Sequence, residues 1–361
     1  TGNLNTAYDR EDKPVYIKDY CKGLYYMCTV CVNSCKYNAL SIDKDGVKID
    51  YSKCNSCGLC ISSCPTGALQ YPSMPDLAFV NLSKNLGEKV ISCYKDTNPS
   101  LKLPCIGGLS SEDIIILRKS GNVIVRCPDE KCPLHDNLKG LQYKTKSLNK
   151  VLGGIYFNEV PKNTESQIRE NIDISNYPTK LEVNRKSRGI SNDFEYLNAL
   201  SSRIIEIDET SCTLCESCAK WCPSESLKIV RNGELTELKF DPKKCIGCNV
   251  CINVCPEPSV ISDNKILSCK KNMKAIESRE LKENDLTNER TIASDNIVRC
   301  AVCGKIVGSE RSLKKIKEIM KEKGAEIDDE WLRRCPTHRS EYAFQKAFSA
   351  KVKFKPKNNN S

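Results

Sequence analysis

The sequence predicts an α+β protein built from several small domains, and three observations predict it. The first is cysteine spacing. The 361-residue chain holds 24 cysteines, and fifteen of them fall into four short runs. Cys54-x2-Cys57-x2-Cys60-x3-Cys64-Pro65, Cys212-x2-Cys215-x2-Cys218-x3-Cys222-Pro223 and Cys245-x2-Cys248-x2-Cys251-x3-Cys255-Pro256 are complete, whereas Cys28-x2-Cys31-x3-Cys35 lacks its first member. The second is an internal repeat: residues 13–72 and 204–263 each carry two runs around a short hairpin. The third is composition. With 39% hydrophobic and 6% aromatic residues, each unit has a modest apolar core, so metal ligation must contribute to its folding.

Three closely spaced thiolates wrap one iron–sulfur cubane, and the fourth cysteine, three residues on, ligates the other cluster of a pair. A run therefore implies its partner, and four runs imply four [4Fe-4S] clusters. Disulfides are the ordinary use of many cysteines, but oxidised secreted proteins are small, and this long chain reads as lacking a signal peptide. Zinc knuckles use Cys-x2-Cys pairs without a third and fourth cysteine in the same turn. The formal charge of +10 invites a nucleic-acid reading. Clusters of about −2 each add roughly −8 and bring the loaded protein near neutrality. The basic stretches 311–323 and 351–357 then read as a solvated helix face and a loose tail, and no nucleic-acid partner is expected. No apolar run approaches the length of a bilayer span, so no transmembrane segment and a cytoplasmic location are expected.

Two modules follow from the repeat, at 13–76 and 204–268. In the first, residues 39–42 and 47–49 flank Asp45-Gly46; in the second, residues 227–230 and 235–240 flank Asn232-Gly233. Both pairs suit two-residue hairpin turns. Here the chain resembles the two-cluster bacterial-type ferredoxins, twice over, which implies two ferredoxin-like two-cluster modules. Carried over, Cys212, Cys215, Cys218 and Cys255 hold one cluster, and Cys222, Cys245, Cys248 and Cys251 the other. In the first module Tyr25 stands where the missing cysteine belongs, and Cys21 lies four residues earlier. A longer loop lets Cys21 join Cys28, Cys31 and Cys64, while Cys35 joins Cys54, Cys57 and Cys60. The alternative is a three-iron cluster with Cys21 free.

Residues 77–160 read as a small α/β domain lying between the modules in the chain. Strands at 88–93, 101–105 and 122–127 each end in a cysteine, Cys132 follows closely, and Ser110-Ser-Glu-Asp113 caps an apolar helix. Ligands at the carboxyl ends of parallel strands share one edge of the sheet, so Cys93, Cys105, Cys127 and Cys132 can converge on a fifth cluster. The pattern resembles the delta subunit of methyl-viologen-reducing hydrogenase, an adapter, and that resemblance implies a [2Fe-2S] centre. A redox-silent or zinc site using His135 is the alternative. Residues 161–203 and 269–295 read as polar linkers, the former with a short helix near 192–205, and Cys269 as a buried structural thiol. Residues 296–350 combine Cys300-x2-Cys303-Gly304, a helix at 309–323 and Cys335-Pro-x-His338. Two knuckles would make a zinc-ribbon-like module with tetrahedral zinc on Cys300, Cys303, Cys335 and His338, a Cys3His iron–sulfur site being the alternative. Residues 351–361 read as a flexible tail.

No phosphate loop, dinucleotide fingerprint or zinc-protease motif competes with the clusters. Four-iron clusters ligated by cysteine alone carry single electrons and bind no substrate, so the expected function is conduction, with no catalysis by the chain itself. Two such modules in one chain are similar to the electron-transfer subunits of molybdopterin enzymes such as formate dehydrogenase, of nickel–iron hydrogenases and of heterodisulfide-reductase-type assemblies. The similarity implies a hetero-oligomeric complex with a catalytic oxidoreductase subunit and a redox acceptor. It suggests the two modules on opposite sides of the α/β domain, one facing the catalytic subunit and the α/β domain facing the acceptor. A free polyferredoxin-type carrier and a cluster- and zinc-containing nucleic-acid-binding protein are the other readings; free carriers are commonly short and acidic, and this chain is neither. The anaerobically assembled chain should hold about sixteen irons on these four sites, and iron analysis giving fewer than about twelve would reject the four-cluster reading.

Overall fold

A computed structural model describes residues 12–21, 28–159, 179–257, 275–285 and 288–351, so Tyr25, Cys269 and the tail from residue 352 lie outside the described residues. Each cysteine-rich module is tied shut by its own ends. Val15–Tyr16 pairs antiparallel with Leu69–Gln70, and Arg203–Ile207 pairs antiparallel with Ile276–Glu280. Inside these clasps lie the hairpins Leu40–Asp43 with Gly46–Ile49 and Leu227–Asn232 with Leu235–Phe240. Both turns are offset by one residue from the sequence expectation. Asp43 pairs with Gly46, so Lys44 and Asp45 form the first turn, which the Asp43 carboxylate shapes by accepting from the Asp45 amide at 2.8 Å. Asn232 pairs with Leu235, which leaves Gly233 and Glu234 as the second turn.

Residues 89–157 form a four-stranded parallel sheet in the order Leu101–Leu103, Lys89–Cys93, Val123–Arg126, Ile155–Phe157. The helix Ser111–Arg118 is buried along its whole length. Its start is a capping box: Ser110 accepts from the Asp113 amide, and the Asp113 carboxylate accepts from the Ser110 amide at 2.8 Å and the Ser110 hydroxyl at 2.6 Å. The first and third strands in the chain end at or just before Cys93 and Cys127, and the second stops two residues short of Cys105.

The expected linker at 161–203 is corrected by its second half, which holds the helices Lys180–Ser187 and Phe194–Ala199 before the strand Arg203–Ile207 begins. Lys180, Asn184 and Arg188 recur every four residues, as one helix face does, and all three are buried. Lys180 Nζ donates to the Ile61 carbonyl of the first module at 3.0 Å, Asn184 Nδ2 donates to the Glu112 carboxylate of the parallel-sheet domain, and Arg188 donates to Ser202 and to the Leu200 carbonyl. Arg185 reaches the Pro223 carbonyl in the second module. This polar face reads as solvent-exposed from composition, and it is satisfied buried only because the first module, the parallel-sheet domain and the end of its own segment bring it partners.

A second correction concerns the order in space. Cys21, Cys64 and Ala68 of the first module share one apolar cluster with Ile246, Cys248 and Val250 of the second. The modules therefore touch each other, and the parallel-sheet domain does not separate them. The expected linker at 269–295 likewise contains structure: Ile276–Glu280 closes the second module, and Arg290–Arg299 adds to the hairpin edge at Leu235–Phe240 and then pairs with Ile306–Ser309. A four-stranded antiparallel sheet thus runs unbroken from the second module into the C-terminal one. There the helices Glu310–Glu322, Asp329–Leu332 and Pro336–Lys351 follow. Among the described residues no helix is long and apolar enough to cross a membrane. Ser110→Ala should destabilise the parallel-sheet domain by about 1–2 kcal/mol through loss of the cap, read as faster amide exchange along Ser111–Arg118 with exchange in the second module unchanged.

Candidate metal centres

The ligand loops owe their shape to a repeated pair of left-handed residues. In Cys54–Cys60 they are Ser56 (φ 60°) and Gly58 (φ 75°), in Cys212–Cys218 Leu214 (φ 52°) and Glu216 (φ 66°), and in Cys245–Cys251 Gly247 (φ 64°) and Asn249 (φ 57°). The second position after the first cysteine and the first after the second therefore turn left-handed in all three complete runs, which curls the chain around a centre. For Leu, Ser and Glu this costs on the order of 1 kcal/mol each, a strain that persists only where something else holds the loop. A third such position lies three residues beyond the last cysteine of a run, at Asn38, Gly67 and Glu225. It aims the next amide back at the sulfur: Ala39 and Ala68 donate to the Cys35 and Cys64 Sγ atoms at 3.3 Å. Thr66 and Ser224 bring hydroxyls within 3.6 and 3.7 Å of the Cys64 and Cys222 sulfurs. Sequence reading passed over these two hydroxyls, although the shared Cys-Pro-Thr and Cys-Pro-Ser strings were the available signal.

The crossing of the last cysteine to the partner run is visible in two cavities. One cavity is lined by Cys212, Cys215 and Cys218 together with Cys255 from the other run. Another is lined by Cys54, Cys57 and Cys60 together with Cys35. Cys28 and Cys31 feel the charges of Cys21 and Cys64, and Cys245, Cys248 and Cys251 are buried next to Cys222. Cys21, at the end of the helix Lys18–Cys21, is itself buried. Burial, reinforced by neighbouring cysteines, pushes Cys28 up to about 11 and Cys31 and Cys218 to about 12, with Cys60, Cys248 and Cys251 higher still. Four thiolates can occupy such a space together only with cationic iron between them, so the donor sets fit iron–sulfur clusters, and loading must release protons. Three basic residues approach these sets: Lys180 beside Cys64 and Arg188 beside Cys245 and Cys248, neither singled out from the sequence, and Arg311 beside Cys212, which the sequence places on a solvated helix face.

At the carboxyl edge of the parallel sheet, Cys93, Cys105, Cys127 and Cys132 line a single cavity with His135 and Leu138. Burial pushes Cys105 up to about 12, and raises Cys93 and Cys127. The rim carries the Lys95–Asp129 ion pair. Four sulfurs arranged around a cavity offer the donor set of a cluster.

The C-terminal group is tighter. The ligand atoms of Cys300, Cys303, Cys335 and His338 all lie within 4.8 Å of one another. Cys303 Sγ and Cys335 Sγ are 3.8 Å apart, and His338 Nδ1 lies 3.1 Å from Cys335 Sγ and 3.4 Å from Cys300 Sγ. Tetrahedral zinc with bonds of ~2.3 Å to sulfur and ~2.0 Å to nitrogen places its ligands ~3.5–3.8 Å apart, so these atoms fit a single ion. Cys300 and Cys303 sit in the turn between Arg290–Arg299 and Ile306–Ser309, a knuckle closed by Gly304 (φ 71°). The expected second knuckle is corrected: Cys335 immediately precedes Pro336–Lys351 and His338 lies in its first turn, because Pro336 starts a helix where a ribbon would turn back as a hairpin. Burial pushes the Cys300 thiol up, but the amides of Cys335, Cys303 and Val302 outweigh it and draw it down to about 5, the thiolate state a metal needs. His338 Nε2 faces the Glu341 carboxylate at 3.8 Å, which orients the ring.

These features define a chain with iron–sulfur electron-transfer modules. Residues 205–262 and residues 26–68 each match a 4Fe-4S dicluster domain, and two such domains account for four [4Fe-4S] clusters. The chain is 33% identical over 69 residues to the indolepyruvate oxidoreductase subunit IorA of Methanothermobacter thermautotrophicus, across 19% of this chain and 10% of that protein. It is 36% identical over 50 residues to the pyruvate synthase subunit PorD of Methanocaldococcus jannaschii, across 14% of this chain and 55% of that one. The alignments thus span about a tenth and about half of these relatives. Arg188→Met should lower the potential of the neighbouring cluster by on the order of 60 mV, the one-electron equivalent of ~1.4 kcal/mol, because a buried positive charge that favours the reduced cluster is lost. Redox titration should find Arg188→Lys much closer to the parent.

Proposed function

We propose that this chain is a relay subunit that conducts single electrons between a catalytic oxidoreductase subunit and a redox acceptor, and has no turnover of its own. The carrying observation is the grouping of cysteines in fours around two cavities, each completed by the last cysteine of the partner run. On this reading Cys21, Cys28, Cys31 and Cys64; Cys35, Cys54, Cys57 and Cys60; Cys212, Cys215, Cys218 and Cys255; and Cys222, Cys245, Cys248 and Cys251 are the four ligand sets. The buried position of Cys21 near Cys28 and Cys64 favours it as the fourth ligand over a three-iron cluster. Cys93, Cys105, Cys127 and Cys132 hold a fifth iron–sulfur cluster, in keeping with an adapter-like middle domain. The zinc assigned to Cys300, Cys303, Cys335 and His338 is structural, its four positions being filled by protein. Clusters with every iron ligated by cysteine exchange electrons and leave no site for substrate.

The names of the two relatives support an oxidoreductase as the partner, and favour one acting on 2-oxo acids over the molybdopterin or nickel–iron enzymes that overall layout suggests. The test is to load the isolated chain anaerobically, show it free of other subunits, and assay it with viologen dyes against formate, hydrogen, NAD(P)H and pyruvate. Reversible reduction without turnover is the expected result, and sustained turnover of any of these would overturn the reading. Cys127→Ser with Cys132→Ser should abolish one set of spectroscopic signals and spare four clusters; unchanged iron content would return those cysteines to a structural role. A chelator that strips zinc should remove about one ion per chain and melt the helix Pro336–Lys351 while leaving the iron in place.

A further inference from the structure

Neighbouring cysteine sets touch in a definite sequence. The helices Ser217–Lys220 and Val250–Val254, which carry Cys218 and Cys251, pack together, so the two sets of the second module lie side by side. Cys248 lies in the apolar cluster that holds Cys21 and Cys64, and it feels the charge of Cys28 across the boundary between modules. Within the first module the helices Val30–Ser34 and Leu59–Ser63, which carry Cys31 and Cys60, pack together in the same way. Cys57 packs directly against Cys105 and Leu134 of the parallel-sheet domain, with Cys132 against the same group.

That last junction is made by glycine. The turn Ile106–Gly108 follows Cys105, and a Cβ on Gly107 would sit 2.5 Å from the Cys57 carbonyl oxygen. A Cβ on Gly58 would sit 2.4 Å from Gly108 Cα. Tyr71 clamps the same place: its hydroxyl donates to the Ser56 carbonyl at 2.7 Å, and a Cβ on Gly108 would meet its ring at 2.7 Å. Two backbones approach here more closely than any side chain allows, and the Gly107 amide donates to Cys105 Sγ at 3.4 Å. The Cys212 set is the most open, with Cys215 exposed and Cys212, Cys218 and Cys255 half-buried; the Cys93 set keeps Cys93 and Cys105 buried and has Cys127 and Cys132 half-buried, as Cys28, Cys35, Cys54 and Cys222 are in the sets between.

We propose that the five cysteine sets form one unbranched line, entered at the Cys215 end and at the Cys127/Cys132 end, and that Gly107 and Gly108 are positioning residues that set its last step. The order runs from the set of Cys212 to that of Cys245, then Cys21, then Cys35, then Cys93. An electron from a one-electron donor, such as a reduced centre of the partner oxidoreductase, enters one end and leaves from the other to a one-electron acceptor; each hop oxidises one cluster and reduces the next, with no bond or proton changed. The line rests on the relay reading above. Because hopping weakens exponentially with separation, the glycine junction decides whether the parallel-sheet domain is in circuit at all.

The test is electron paramagnetic resonance of the anaerobically loaded full chain reduced with dithionite, where adjacent reduced clusters broaden each other's signals. The signal of the Cys93 set is identified as the one lost in Cys127→Ser with Cys132→Ser. In Gly107→Val, with iron content unchanged, this signal should lose its broadening while the others keep theirs. Removing the adjacent set by Cys54→Ser with Cys57→Ser should sharpen it too, a readout that holds even if Gly107→Val disturbs the domain. Removing the set of Cys245 and Cys248 by serine substitution should sharpen the Cys212 signal and leave the Cys93 signal unaltered. Sharpening of the Cys93 signal by that last variant, or its insensitivity to loss of Cys54 and Cys57, overturns the order. A parent chain that takes up no iron overturns the relay reading itself.

Discussion

The two cysteine-rich modules follow from the need to surround a cubane with four thiolates drawn from two places in the chain. Three come from a loop that left-handed residues at fixed positions curl inward, and the fourth arrives from the partner run. Each half of a module is thereby incomplete alone, so ligation ties the runs together more firmly than the small apolar core could. The clasps at Val15–Tyr16 and Arg203–Ile207 do the remaining work of closing each module on its own ends.

Burying so many thiolates has an electrostatic consequence. The cluster sites concentrate negative charge in the interior, and the chain answers with buried cations near them: Lys180 by Cys64 and Arg188 by Cys245 and Cys248. Both belong to one short stretch, which hydrogen-bonds to the first module through Lys180, to the parallel-sheet domain through Asn184 and to the second module through Arg185. A segment that composition marks as a polar connector is thus the internal fastening of three units. Asp76, Glu112 and Asp113 surround Lys180 in turn, and burial lifts the Asp76 carboxyl to about 7, the sign of a site where charge is held with little water.

The C-terminal unit obeys a different rule. Its four ligand atoms converge on a point rather than around a cavity, and backbone amides aimed at Cys300 favour its thiolate. Shared strands weld it to the second module, and Ser309 and Arg311 donate to the carbonyls of Thr213 and Glu209, next to the ligand loop that starts at Cys212. The C-terminal unit thus sits beside the loop that carries Cys215, the exposed member of its cysteine set.

The sequence by itself determined the two dicluster modules, their hairpins to within one residue at each turn, and the capped helix of the middle domain, because cysteine spacing, turn residues and the Ser110–Asp113 box act over a few residues. It also brought Cys300, Cys303, Cys335 and His338 into one set, since two short ligand pairs suffice to declare it. Tertiary structure alone decided that the modules abut, that Arg290–Arg299 welds the C-terminal unit to the second module, and that Lys180, Asn184 and Arg188 face inward. It also decided that Gly107 and Gly58 bring Cys105 against Cys57. The physical reason is common to these: each depends on partners distant in the chain, 12 or 14 residues away for Arg188 and more than forty for the others, and a glycine or a lysine carries no local mark of the surface that will press against it.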